Sequence, residues 1–189
     1  MSTTTTNTTN PTVKLIGLLT IIAGAIMIIA GGVTWGAVTS QLKDEAITVS
    51  AVTEEAPGAL AGKTVAGPFT AYAQANAIKH HALTGANGRT YAQIGDDIKA
   101  AKATLTADGV SDADQAKDAD VMKLTAARTS AMNGSFLRTA LFSSVIAYGV
   151  AALVIGLGVL FGALGFALRS ISTTTVVTSA ATPAVPAKA

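Results

Sequence analysis

Two long stretches of the chain contain no charged position. Leu15 to Val38 gives 24 such residues, and Thr139 to Leu168 gives 30. About 20 apolar residues, rising roughly 1.5 Å each, cross a hydrocarbon layer of about 30 Å. Both stretches are therefore long enough to span, and the second must tilt or project beyond the lipid. As buried helices of a soluble protein they would need a large covering shell, which the polar connection 39–138 is too short to supply. The pattern predicts transmembrane helices over 13–38 and 139–168. The first stretch is also too long for the 7–15-residue apolar region of a cleaved signal peptide, although the small residues around Ala37 and Thr39 offer a site. An uncleaved signal anchor is the expectation.

Between the spans the pattern changes. Ala46 to Val52 is rich in β-branched residues and suggests one short strand, followed by a Pro- and Gly-containing connection from Glu54 to Gly67. Pro68 suits a first helical turn, and a helix reaching about Thr84 would stop at Gly85. On its wheel Phe69, Tyr72, Asn76, His80 and Leu83 share one stripe, a candidate partner surface. The bland alternative is that Asn76 and His80 are simply hydrogen-bonded where this helix meets the loop. A weak pH switch at His80 is the sharper one. Ile94, Ile98, Ala101 and Leu105 give a weaker helical stripe before the turn signal Asp108-Gly109. Ser111 with Asp114 resembles a capping pair opening another helix. Val121, Leu124, Arg128, Met132 and Phe136 then keep one phase towards the membrane, and that helix can continue into the second span, with Asn133-Gly134 as a potential hinge.

Composition sharpens the class. Of 189 residues 50% are apolar and only 13% charged, against about 25% charged in soluble domains. Mean hydropathy is +0.49. The absence of cysteine excludes disulfides, thiolate metal sites and thiol nucleophiles. A net charge of +2 without a basic cluster argues against nucleic acid as a partner. All 11 acidic residues lie between Asp44 and Asp120, while the tails carry only Lys14, Arg169 and Lys188. Basic short tails favour cytoplasmic termini and an extracytoplasmic loop, with Lys43 and Arg138 weakening the asymmetry. The Thr- and Asn-rich segment 1–12 and the segment 169–189 are expected to be disordered cytoplasmic tails.

The expected fold class is thus an all-α membrane protein. It consists of a two-helix transmembrane hairpin, a small, mainly helical extracytoplasmic loop domain over 39–138, and disordered tails. Small residues would let the helices pack closely in lipid. The first span offers Gly17, Gly24 and Gly31 at intervals of seven, plus Gly32 and Gly36. The second offers Gly149 and Gly156, continued by Ala163, plus Gly158 and Gly162. These faces serve either the hairpin or contacts between copies in a homo-oligomer. Trp35 near the outer end of the first span reads as an interfacial anchor. Neither charge-free stretch contains Asp, Glu, Lys, Arg or His, which disfavours an ion or proton pathway built from this chain alone.

The run Gly62-Lys63-Thr64-Val65-Ala66-Gly67-Pro68-Phe69-Thr70-Ala71-Tyr72-Ala73-Gln74-Ala75-Asn76 resembles a signature of a small actinobacterial family of two-span membrane proteins. Gly88-Arg89-Thr90-Tyr91-Ala92-Gln93 and Ser135-Phe136-Leu137-Arg138-Thr139-Ala140-Leu141-Phe142 share the resemblance, as do Trp35-Gly36 and Ile47-Thr48-Val49-Ser50. The likeness covers most of 15–169 and sets 96–120 apart as an Ala- and Asp-rich insertion. It implies membrane location and topology. Family members often carry the label "aromatic ring-opening dioxygenase", which implies non-haem iron held by two His and one carboxylate. Here His80 and His81 are the two histidines and are adjacent on one predicted helix, so the residues do not support that chemistry. Asp112, Asp114, Asp118 and Asp120 lack the order of a calcium loop and read as a solvated acidic face. No catalytic, cofactor-binding or metal site is assigned. The functional expectation is an envelope interaction or scaffold module in the cell membrane. The alternative is a homo-oligomeric accessory subunit, and a metal-dependent dioxygenase is the remote third.

Overall fold

The computed structural model describes residues 3–171 and 173–179, and the side chains of 10–171. The order is β1 (Thr3–Thr9), α1 (Pro11–Asp44), α2 (Pro68–Gly85), α3 (Tyr91–Ala107), α4 (Asp112–Gln115), α5 (Ala119–Ile171) and β2 (Thr173–Ser179). Helix dominates, and α1 and α5 are each long and apolar enough to cross a membrane. Both outrun the charge-free stretches that announced them. α1 starts where Pro11 takes the first helical position and the Asn10 side chain accepts from the amides of Thr12 and Val13, at 3.1 and 3.4 Å. α5 starts where the Asp118 carboxylate accepts from Asp120 and Val121, at 3.0 and 3.1 Å. It then passes Asn133-Gly134 unbroken, so the expected hinge is continuous helix.

The contacts divide the chain into two units. One takes residues up to Val33 and from Val150 on; the other is Thr34–Gly149. In the first unit α1 and α5 run antiparallel at backbone contact. A Cβ built on Gly17 would lie 2.8 Å from the carbonyl of Gly165, one on Gly24 2.5 Å from that of Gly158, and one on Gly31 2.9 Å from that of Ala151. The approach is reciprocal, since Cβ atoms on Gly158 and Gly165 would strike the carbonyls of Gly24 and Gly17 at 2.6 and 2.5 Å. Each step of seven along α1 is thus met by a step of seven back along α5. The glycine hydrogens occupy the space where a side chain would start, aimed at the facing carbonyls, and weak C–H···O attraction joins the dispersion gain.

The expected packing glycines therefore separate into two groups. Gly17, Gly24, Gly31 and Gly158 stand in the contact, and Gly162 contributes its backbone nitrogen, 2.9 Å from a Cβ on Gly24. Gly32, Gly36, Gly149 and Gly156, and the side-chain direction of Gly162, face open space. The stripe on α5 that meets α1 is Ala151, Gly158 and Gly165, not the stripe of Gly149, Gly156 and Ala163. The two differ by two residues, about 200° around a helix, so they occupy nearly opposite faces.

Beyond this pair the chain is extended. Thr3–Thr9 pairs antiparallel with Thr173–Ser179, Thr3 opposite Ser179 and Thr9 opposite Thr173. This corrects the expected disorder for those residues and for Pro11 and Thr12, which are helical, as are Arg169–Ile171. Residues 180–189 lie outside the described residues. The antiparallel helices bring both ends to one place, which removes most of the loop-closure cost, and β-branched Thr and Val favour the extended state.

The second unit, Thr34–Gly149, packs α2 and α3 against the outer portions of the long helices. Leu42, Val49, Val65, Ala71, Ala75, Leu141 and Tyr148 form one buried cluster, and Ala86, Ile94 and Ala131 a second. The expected strand over Ala46 to Val52 is reduced to a single antiparallel bridge between Thr48 and Thr64. Ala46, in the left-handed region at φ 52°, turns the chain off α1. α2 begins at Pro68 and ends at Gly85, with the Thr70 hydroxyl accepting from Ala66 and Gly67 at 3.0 and 3.2 Å. α3 is closed at its start by Thr90 and Gln93, whose side chains reciprocally accept each other's backbone N–H. The segment 96–120 is integrated, since Ile98 packs on the second cluster beside Leu124 and Ala127.

Replacing Gly24 by Leu should force the helices apart and cost about 1–3 kcal/mol or more, because the obstructing atoms are backbone. Gly156→Leu, entering open space, should change stability by less than about 0.5 kcal/mol. Unfolding by denaturing detergent measures both. Equal effects would show that the register is wrong.

Candidate functional site

The first turns of α2 and the loop before it form a groove on the second unit. A buried amide builds it. Gln74 is only 7% exposed, and its Oε1 accepts from the Ser50 amide at 2.7 Å while its Nε2 donates to the Ser50 hydroxyl at 3.3 Å. Backbone pairing continues the attachment, with Val49 N–H to Lys63 C=O at 2.9 Å and Val65 N–H to Ile47 C=O at 2.8 Å. The loop is thereby laid along α2, leaving a cavity of about 380 Å³ lined by Val49, Val52, Leu60, Phe69, Tyr72 and Asn76, among others. Phe69 is 79% exposed and Tyr72 51%. Tyr72 meets Phe142 of α5 edge-on, the ring centres 5.8 Å apart.

The five-residue stripe does not form one site. Phe69, Tyr72 and Asn76 line this groove. Leu83 lines a different pocket with α3 and α5, and His80 stands exposed between them. The stripe is continuous on α2, but its neighbours change along the helix: the 49–61 loop at the start, and α5 near Ala131 and Gly134 at the end. His81, also exposed, has Nε2 3.3 Å from the Val52 carbonyl oxygen. The His80 and His81 rings are 6.0 Å apart at 69°. Among the described residues no group of three His, Asp or Glu side chains could hold a metal.

The acidic segment is used locally. The Ser111 hydroxyl donates to Asp114 at 2.7 Å, and Lys117 Nζ donates to it at 3.0 Å. These contacts, Ser111 first, hold the Asp114 carboxyl below its ordinary value. Asp118 caps α5, as described. Ser111 opens α4 by accepting from the Asp114 amide, as its spacing suggested, although that helix is only four residues long.

Sequence reasoning missed Tyr148. It is 1% exposed, packs edge-on against Trp35 at 4.7 Å, and shares a hydrogen bond with the Thr39 hydroxyl at 2.8 Å. A tyrosine inside a charge-free run needs a partner for its hydroxyl, and that was the available signal. Trp35 is thus partly held by protein as well as facing outward, at 37% exposure. No family model, curated protein or solved structure matches the chain.

Gln74→Leu keeps the volume but strands the Ser50 amide, at a cost of about 1–3 kcal/mol. Amide exchange at Ser50 and Val52 should accelerate, with exchange in α3 unchanged. Unaltered protection at Ser50 would show that the loop is held by something else.

Proposed function

We propose that the protein is a two-span integral membrane protein of the cell membrane whose segment 39–138 is displayed outside as an interaction module. Both termini are cytoplasmic in this reading. One observation carries the membrane assignment. In the most apolar stretches of α1 and α5 only 11% and 17% of residues are buried, and Ile22, Ile29, Val33, Ile146, Leu153 and Phe166 are among the exposed apolar side chains. Water would penalise such a surface at about 25 cal/mol per Å², whereas lipid accepts it.

The module reading rests on the groove. Exposed Phe69 and Tyr72 beside a preformed apolar cavity are the kind of rigid aromatic anchors that dominate protein interfaces. Homo-oligomerisation is a second reading, favoured by the open glycine faces at Gly32, Gly36, Gly149 and Gly156. Gly158 now belongs to the contact with α1, so replacing it tests that contact rather than assembly; Gly156→Ile is the informative change. Nothing in the donor set supports a dioxygenase.

The cysteine-free chain allows a direct topology test. Glu55→Cys and Asp108→Cys should react with a membrane-impermeant maleimide in intact cells, and Ser2→Cys and Lys188→Cys only after permeabilisation. The reverse pattern would invert the topology, and reaction at all four in a detergent-free soluble fraction would end the membrane reading. A photo-crosslinker at Phe69 should capture a discrete protein that Tyr72→Ala weakens. Crosslinks to lipid alone would remove the module reading.

A further inference from the structure

A second pocket, of about 230 Å³, lies between the end of α2, the start of α3 and α5. Its charged lining is entirely cationic: Lys79, Arg89 and Arg138, with no carboxylate among the lining residues. Asp97 reaches Arg89 from outside and offsets one of the three charges. Arg138 is half-buried over the Phe142 ring, its guanidinium carbon 5.1 Å from the ring centre. Its Nε is buried and has no hydrogen-bond partner among the described residues. A buried guanidinium N–H left unmatched is costly, and the same residue lines the pocket. Arg128 also has an unmatched Nε, but it lies over the Tyr91 ring at 4.1 Å and against Gly95, and it is not among the residues that line the pocket. Thr90 and Tyr91, at the start of the 17-residue helix α3, complete the wall. They bring the positive end of that helix to the same place.

We propose that Lys79, Arg89, Arg138 and the start of α3 bind the phosphate of an anionic phosphate ester. The size excludes a large ligand, since pockets for drug-sized molecules run to about 300–1,000 Å³. The remaining wall, Ala82, Leu83, Ala131 and the Tyr91 ring, suits the carbon portion of an ester. Position suggests the source. Arg138 directly precedes the 30-residue charge-free stretch, which at roughly 1.5 Å per residue matches the 40–45 Å of a bilayer with its headgroups. Arg138 therefore stands where lipid phosphates are. The lipid source rests on the membrane reading above; the phosphate chemistry does not.

The test uses the full chain in neutral detergent and in nanodiscs of phosphatidylcholine with or without phosphatidylglycerol. Bound lipid is read by native mass spectrometry, and inorganic phosphate is titrated by calorimetry. The wild-type protein should retain phosphatidylglycerol over phosphatidylcholine, and Arg138→Gln and Lys79→Gln should each weaken that retention by about tenfold. Arg138→Lys should recover part of it. Lys79 is exposed, so its variant decides the matter if Arg138→Gln misfolds. Retention of phosphatidylglycerol with no response to inorganic phosphate supports a lipid headgroup. Phosphate binding with the same dependence on Lys79 and Arg138 supports a soluble ester. Binding of neither, or retention unchanged in both Gln variants, overturns the site.

Discussion

A helix inside hydrocarbon must satisfy its own backbone and present side chains that lipid accepts, and in the function proposed above these two requirements account for most of this structure. α1 and α5 meet the first by continuous helix. Their hydroxyls meet it as well: Thr20 donates to Ile16 C=O at 2.9 Å and Ser143 to Thr139 C=O at 3.0 Å, so neither is left unpaired away from water. The second requirement matches the large apolar side chains that point outward along both helices.

What joins α1 to α5 is contact distance. The glycines that face each other at intervals of seven let backbone meet backbone, and the same register carries into the terminal strands. Ile21, Ile28 and Ile155 reach the facing glycines within this contact, while Ile29 and Leu153 are among the large side chains that point outward. In the unit Thr34–Gly149 the logic reverts to that of a water-soluble domain. Apolar residues are clustered and buried, and the starts of α3, α4 and α5 are closed by Thr, Ser and Asp side chains. The buried amide of Gln74 fixes the loop.

Much of this could be read from local pattern. Absence of charge located both long helices. Pro68 and Gly85 bounded α2, and Ser111 with Asp114 marked the start of α4. Ile94 and Ile98 gave the face of α3 that is buried. What could not be read depends on neighbours distant in sequence. Two stripes of small residues wind along α5, and composition does not say which of them meets α1. The terminal segments looked too polar to order, yet they emerge side by side from an antiparallel pair and become strands. The stripe from Phe69 to Leu83 looked like one surface because a helical wheel carries no information about what lies beside each turn. Arg138 looked like a flanking charge, and its unmatched Nε emerged only once α2 was packed beside it.

The central claim is that the exposed apolar faces of α1 and α5 contact lipid. Single spin labels placed in vesicle-reconstituted protein at Ile146, Val150, Leu153, Leu157, Leu160 and Leu164 test it most directly, with Met122 as the reference outside the span. Collision rates with oxygen and with a water-soluble nickel chelate are then compared site by site. Oxygen access should be high and chelate access low through the middle of the series, with the ratio reversed at Met122. Chelate access at Leu153 and Leu157 equal to that at Met122 would contradict the account.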